Sequence, residues 1–138
     1  MKKFKIWTVF DLMQYYIKEK RIIVDQSHHQ MPMTVHDPCN YGRKSQMAVG
    51  KAYFDEMRWI AQQCAPNFVE MNPTIMNNYC CGAGGGAWAM PYSEERIYYG
   101  RKKAEQIRNT EAELVVTPCH NCRDQIMKSL NKEYNLGI

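Results

Sequence analysis

The sequence predicts an α/β domain with a small parallel sheet and flanking helices. Short apolar segments that are typical of strands alternate with longer segments of helical periodicity, and this order favours parallel strands joined by helices. Cysteine residues follow three of these apolar segments. With 138 residues, of which 45% are hydrophobic and 23% charged, the chain has the size and composition of one globular domain, residues 1–138.

The first half of the chain is expected to form two helices and two strands. Residues 9–20 predict a helix that ends in a basic turn, and residues 33–38 predict a short strand that stops at Pro38. Apolar residues then recur on one helical face over residues 45–63, which predicts the second helix. Residues 67–71 are apolar enough to form the second strand.

The second half is expected to form two helices around a third strand. Ser93 is a suitable N-cap for a helix that runs to about Asn109, because acidic residues follow it at the positive end of the helix. This helix has a basic outer side that we expect to face solvent; the alternative is that it docks an acidic carrier protein. Residues 112–116 form the clearest strand, and residues 119–134 form the last helix.

Charge and hydropathy exclude several classes of function. The net charge is +4 and the basic residues are scattered, so nucleic-acid binding is not expected. No apolar run is long enough to span a bilayer, and the amino-terminal segment lacks the apolar stretch of a signal peptide. We therefore expect a cytoplasmic chain, in which six cysteines indicate metal or redox chemistry rather than a disulfide framework.

The cysteines are placed after the predicted strands. Five of the six follow a strand: Cys39, Cys80, Cys81, Cys119 and Cys122. In an open α/β sheet, ligands bind outside the carboxyl ends of the strands, so these five side chains should converge at one edge. The sixth, Cys64, lies on the apolar face of a helix and is expected to be a buried structural thiol.

Five converging thiolates require a cation. A single CxxC, here Cys119 to Cys122, is shared by many kinds of site, but the addition of a CC pair and a fifth cysteine is more specific. Five thiolates exceed the four ligands of tetrahedral zinc, which favours an iron–sulfur cluster. The alternative is a zinc-binding structural or protein-interaction module without redox activity, in which one of these cysteines is unused.

Glycines follow the CC pair at four of the next five positions: Gly82, Gly84, Gly85 and Gly86. They are expected to let the backbone pass close to a cluster and to direct N–H groups at its sulfides, which raises the reduction potential. A phosphate-binding loop is the alternative, but the segment lacks the GK[ST] ending and does not follow a strand directly.

Three motifs carry a family resemblance. The segments HDPCNYGR, NYCCGAGGG and TPCHNC resemble the cysteine-rich CCG domain of heterodisulfide reductases over residues 20–135. The long glycine run is most similar to the D-type subunits, and NPxxxNNYCCGAGGG to the DsrK-type subunit among them. The resemblance implies a noncubane [4Fe–4S] cluster held by the five motif cysteines, and reductive cleavage of a disulfide, or the reverse, in two one-electron steps.

The resemblance also implies partners. These are the iron–sulfur and membrane subunits of a redox complex, and a small disulfide-bearing sulfur carrier of the DsrC type or a low-molecular-weight disulfide. Through the partner subunits the chain is expected to reach the inner face of the membrane. The chain has no CxxCxxCxxxC segment for cubane clusters. It is therefore expected to be a carboxyl-terminal domain of a larger subunit, or a stand-alone relative that receives electrons from another chain.

Three further residues are candidates for the chemistry. His36 and His120 each lie within three residues of a motif cysteine, and either could donate a proton to a thiolate product. The alternative for His36 is a structural role at the strand end. Arg43 could pair with the negative charge of the cluster or with a substrate carboxylate, or be a solvated surface residue.

Overall fold

A short parallel sheet lies at the centre of the computed structural model, which describes residue 4 and residues 6–138. Strand β1 (Met33–Val35) pairs in parallel with β2 (Leu114–Val116). Met33 also forms a parallel bridge with Phe68, through backbone hydrogen bonds on the side of β1 away from β2. The three predicted strand segments therefore meet side by side, although the segment at Phe68 contributes a single bridge.

Three helices precede Phe68: α1 (Val9–Lys18), α2 (Ser45–Val49) and α3 (Phe54–Cys64). Of these, α1 and α3 pack on one side of the sheet. A capping box between Thr8 and Asp11 begins α1. The prediction of one helix over residues 45–63 is wrong, because the chain leaves α2 at Gly50, whose φ is 71°. Glycine reaches this left-handed conformation without strain, so it ends the helix.

Four helices follow Phe68. They are α4 (Ser93–Tyr99), α5 (Arg101–Arg108), α6 (His120–Asp124) and α7 (Asn131–Tyr134), with a wide helical segment, Gln125–Leu130, between the last two. The predicted helix over residues 93–109 is interrupted at Gly100, and its predicted N-cap is wrong. Tyr92 holds that position and Ser93 is the first helical residue, without a side-chain capping bond.

Shorter helical turns lie in the connections: Gln26–His28, Asn40–Lys44, Ile75–Asn77 and Ala87–Ala89. The turn Asn40–Lys44 follows Cys39 directly and contains a kink at Gly42. No helix among the described residues is long and apolar enough to cross a membrane.

Two apolar clusters pack against the opposite faces of the sheet. We call the first the α1–α3 cluster; its buried members are Phe10, Met33, Val35, Phe54, Met57, Ala61 and Ala65. We call the second the α5–α7 cluster; its buried members are Met71, Cys81, Ala83, Ala104, Ile107, Cys122, Ile126 and Leu130. Side chains alternate along a strand, so Thr34 and His36 point away from the first cluster and toward the second.

Candidate metal centre

Four of the five motif cysteines line one recess of about 320 Å³ beyond the carboxyl ends of the strands. They are Cys39, Cys80, Cys119 and Cys122. The fifth, Cys81, is 2% exposed and lies in the α5–α7 cluster beside Cys122. All six cysteines of the chain are free thiols. The structure therefore brings together the residues that the spacing of the motifs predicted to converge.

The deepest part of the site is a group of three ligand atoms. A ring nitrogen of His36 and the Sγ atoms of Cys81 and Cys122 lie within 4.8 Å of one another, and all three residues are buried. Thiolate sulfur and imidazole nitrogen are the ligands that zinc and iron accept most readily in proteins. The trio alone could hold one metal ion, and Cys39, Cys80 and Cys119 extend the donor set toward the recess.

The CxxC pair is positioned by the start of α6. Cys119 is the N-cap residue, and Cys122 lies one turn into the helix, where the Arg123 N–H donates to the Cys119 carbonyl at 2.9 Å. Residues three apart on a helix share a face. Both sulfur atoms therefore point into the same recess.

The glycine segment meets the site in two ways. The Gly82 N–H donates to Cys80 Sγ at 3.3 Å. Gly82 has a φ of 93°, and a Cβ at this position would collide with the Arg96 carbonyl oxygen, so glycine is required there. Gly84, Gly85 and Gly86 line the recess, where an added Cβ would meet open space. Within the described chain only Gly82 of the four is seen directing its N–H at a motif sulfur.

Arg43 ties two cysteine segments together. Its Nη2 donates to Cys39 Sγ at 3.3 Å, and its Nη1 donates to the Asn78 carbonyl at 2.7 Å and to the Met76 carbonyl at 3.1 Å. The guanidinium therefore fixes the loop that leads into Cys80 against the turn that carries Cys39. Arg43 is therefore not a freely solvated surface residue.

A buried ion-pair network supports the same loop, and the sequence motifs gave no indication of it. Arg58 binds both carboxylate oxygens of Asp37, at 2.7 and 2.9 Å, and also contacts Glu70 and Thr74. Asn78 Nδ2 donates to the backbone carbonyl of Asp37 at 2.7 Å. The residues are far apart in sequence, so only the fold reveals that they form one network.

The surroundings of two of the motif thiols, Cys39 and Cys81, favour the protonated form. Interaction with the Cys80 thiol and burial raise the pKa of Cys39. Interaction with the Cys122 thiol is the main cause that raises the pKa of Cys81 to about 12. Metal ligation needs thiolates, so a bound cation must supply the attraction that removes these protons.

The two candidate histidines differ in position. His36 is 1% exposed, burial is the first cause that lowers its pKa well below the usual range, and its Nδ1 has no hydrogen-bond partner in the described structure. The His120 side chain is 71% exposed and lies 3.5 Å from the Asp124 carboxylate. His120 is not among the residues that line the recess.

Lys103 is a residue near the site that the sequence motifs did not indicate. It is fully buried on α5, and its Nζ contacts Met71 Sδ at 3.4 Å and the side-chain oxygens of Asn78 and Gln106. The expectation of a solvated basic side for this helix is therefore wrong at Lys103. A signal for its burial was its position one turn before Ile107, on the apolar side of the helix.

Comparison with known proteins identifies the domain. Residues 33–127 match the family described as the CCG cysteine-rich domain. The chain belongs to this family. The match includes all five motif cysteines and both strands of the sheet. No solved structure matches this CCG domain significantly.

Curated relatives contain this CCG domain within longer chains. An uncharacterised iron–sulfur protein of Methanococcus maripaludis is 33% identical over 95% of this chain and 24% of its own length. An iron–sulfur subunit of an Hdr-like menaquinol oxidoreductase of Archaeoglobus fulgidus is 32% identical over 75% of this chain and 19% of its own. The D-type subunit of the dihydromethanophenazine:CoB–CoM heterodisulfide reductase of Methanosarcina mazei is 28% identical over 90% and 29%. The chain thus spans less than a third of the length of these relatives.

Proposed function

We propose that this CCG domain holds a [4Fe–4S] cluster of the noncubane type and acts as the catalytic iron–sulfur domain of a heterodisulfide-reductase-like electron-transfer protein. One observation carries the proposal. Thiols from three separate segments converge on one recess, and the buried Cys81 Sγ, Cys122 Sγ and a ring nitrogen of His36 lie within 4.8 Å of one another. The named relatives that are iron–sulfur proteins support this choice of cofactor.

The donor set fits such a cluster. Five thiols are one more than a tetrahedral zinc ion uses, and the recess of about 320 Å³ gives a multi-atom group room beside Cys39, Cys80 and Cys119. The motif cysteines Cys39, Cys80, Cys81, Cys119 and Cys122 would be the ligands. The Gly82 N–H beside Cys80 and the Arg43 guanidinium beside Cys39 would stabilise negative charge on the sulfur atoms.

A zinc module is the second candidate. The compact group of His36, Cys81 and Cys122 has the ligand types and the spacing of a single-ion site. In that case the domain would be structural or would bind partners, without electron transfer. Metal content separates the two candidates.

The proposed reaction is the cleavage of a disulfide, or its formation in the opposite direction. When bound, the cluster supplies electrons one at a time. A disulfide that takes up two electrons and two protons loses its S–S bond and leaves as two thiols. The proposed proton donors are His120, which is exposed to solvent, and His36, whose ring lies against the buried sulfur atoms. His36 is neutral in the metal-free chain and would take up its proton when negative charge on a bound cluster favours the imidazolium.

Electrons would come from partner subunits. The chain spans less than a third of its curated relatives, two of which are named as subunits of oxidoreductases. We therefore place the domain in a complex with iron–sulfur and membrane subunits, on the cytoplasmic side, where free thiols stay reduced. A sulfur carrier of the DsrC type or a small disulfide would be the substrate.

The test is metal analysis followed by EPR spectroscopy. Protein purified without oxygen is assayed for iron, sulfide and zinc, and spectra are recorded after oxidation with a disulfide and, as the control, after addition of the matching thiol. About four irons per chain and a paramagnetic signal that only the disulfide produces are expected. One zinc per chain, no iron and no signal would contradict the iron–sulfur proposal and support the zinc module.

A further inference from the structure

Lys103 has no carboxylate to neutralise its charge. Its Nζ contacts are the side-chain oxygens of Asn78 and Gln106 and the Met71 sulfur, all of them uncharged, and it forms no ion pair among the described residues. Burying an ammonium group without a counter-charge is expensive. Burial accordingly lowers the pKa of Lys103 to about 7 in the metal-free chain.

Asp37 is the acidic residue that attracts Lys103, but its carboxylate is already engaged. Its two oxygens accept from Arg58 at 2.7 and 2.9 Å, and one of them also accepts from the Ile75 N–H at 3.1 Å. The remaining groups whose negative charge would attract Lys103 are thiolates: Cys81, Cys80 and Cys122. A buried lysine without a free carboxylate therefore lies within electrostatic reach of three motif cysteines.

Asn78 connects Lys103 to the cysteine site through hydrogen bonds. Its side-chain oxygen accepts from Lys103, and its backbone carbonyl accepts from Arg43, which also contacts Cys39 Sγ. Asn78 is two residues before Cys80 and is 5% exposed. Lys103 thus holds Asn78, at the start of the segment that leads into Cys80 and Cys81.

We propose that Lys103 is the built-in counter-cation of the metal–thiolate centre, a positioning residue that holds the Asn78 loop and favours the more reduced charge state of the centre. This inference rests on the proposed function in that it requires a metal group on the motif cysteines. Five thiolates make that group anionic, and each added electron increases the negative charge. A nearby buried cation stabilises the added charge and raises the reduction potential.

The experiment compares two neighbouring lysines on α5. Lys103→Met removes the buried charge at similar size, and Lys102→Met removes the same charge from a side chain that is 58% exposed and paired with Glu105. The midpoint potential of the anaerobically purified protein is measured by redox titration followed by EPR. We expect Lys103→Met to shift the potential to more negative values with an unchanged spectral shape, and Lys102→Met to leave it in place.

A second variant separates charge from hydrogen bonding and guards against misfolding. Lys103→Gln keeps a polar group beside Asn78 but carries no charge, so it should shift the potential in the same direction as Lys103→Met. Unchanged potentials in both Lys103 variants would overturn the proposal. An equal shift in Lys102→Met would overturn it too, because the effect would then be general to the helix.

Metal affinity provides a readout that needs no assembled cluster. Metal-free wild type and folded variants are titrated with Co²⁺, and thiolate coordination is followed by absorption. At least about a tenfold loss of affinity is expected for the Lys103 variants and none for Lys102→Met, in the range seen when groups that support ligands are removed. Equal affinities would contradict the inference. A wild-type chain that binds neither iron nor Co²⁺ would instead defeat the proposed function.

Discussion

The two faces of the sheet each pack on an apolar cluster, but strand β1 presents apolar side chains to one and polar side chains to the other. The α1–α3 cluster receives Met33 and Val35 from β1, and both are apolar. The α5–α7 side receives Thr34 and His36 from the same segment, and each has a buried polar atom without a partner in the part of the chain described here. Side chains alternate along this strand, so the sheet has two different faces. We call the face of Met33 and Val35 the packing face, and the face of Thr34 and His36 the chemical face.

The difference extends to the cysteines. Cys64, at the end of α3, borders an apolar groove beside Met57 and Ala61, and burial alone raises its pKa. Cys81 and Cys122 lie on the other side among a histidine, a lysine and further thiols. A natural protein retains unsatisfied buried polar groups where they serve a function. The comparison teaches that the location of a thiol relative to the sheet, and not its burial, separates the proposed ligands Cys81 and Cys122 from Cys64.

The largest expected effect is on metal content, when a thiol of the chemical face is removed and a thiol of the packing face serves as the control. Cys81→Ala removes a sulfur from the buried trio, so bound metal should fall to near zero. Cys64→Ala makes the same chemical change on the packing face and should retain full metal content. Metal analysis of both proteins, purified side by side without oxygen, measures this. Equal loss in both variants would mean that Cys64 belongs to the site.

Two glycines on the chemical face, Gly82 and Gly84, should differ in how much an added Cβ changes the free energy of unfolding. Gly82→Ala places a Cβ against the Arg96 carbonyl oxygen at a φ of 93°, and should lower the free energy of unfolding by about 3 kcal/mol. Gly84→Ala meets open space and should change it by less than about 0.5 kcal/mol. Urea unfolding of the metal-free proteins measures both values. Similar values for the two variants would show that the loop adapts.

The motif cysteines and the strand segments that precede them could be predicted because each depends on local signals. Cysteine spacing and apolar runs place Cys39, Cys80 and Cys119 after strands whatever the details of packing. The helix breaks at Gly50 and Gly100 were missed because an isolated glycine within a periodic pattern is compatible with either a helix or its end. At Gly100 glycine also has a packing role, since a Cβ would meet the Cys81 carbonyl and Leu130.

The support of the site was harder to predict than its ligands. Lys103 appears within a basic stretch that is typical of a surface, and its burial follows from the rotation of α5 against Met71 and Asn78. The network of Arg58 joins residues from three separate segments. Such contacts have no fixed spacing in the sequence, so they can be recognised only once the fold is formed.

Stability of the metal-free protein should rise with pH because of Lys103. The folded pKa of about 7 lies below the ordinary value of 10.5, so the unfolded chain holds the proton more tightly between these values. The unfolding free energy should therefore increase by about 1.5 kcal/mol from pH 7 to pH 8.5.

The choice of pH range isolates Lys103 from the other titrating groups. His36, with its lowered pKa, is neutral in the folded chain and largely neutral in the unfolded chain above pH 7. The raised pKa values of Cys39, Cys64 and Cys81 act in the opposite direction, chiefly near and above pH 9, where thiols of the unfolded chain lose their protons. Urea unfolding with a reductant present measures the slope. Lys103→Met should flatten the slope of unfolding free energy against pH, whereas Lys102→Met should leave it unchanged. If the slope persists in Lys103→Met, another group causes it.

The smallest expected effect is a change in unfolding free energy at Thr34, which tests whether the buried polar groups of the chemical face destabilise the fold. Thr34 Oγ1 is buried without a hydrogen-bond partner in the described structure, and Val35, its neighbour on the packing face, is apolar. Thr34→Val has nearly the same shape and removes the unsatisfied hydroxyl, so it should stabilise the metal-free protein by about 1 kcal/mol. Val35→Thr, the reverse change, should destabilise it by at least as much. If Thr34→Val instead lowers stability, the hydroxyl has a partner such as a buried water, and the polar character of this face would then serve folding as well as the proposed metal centre.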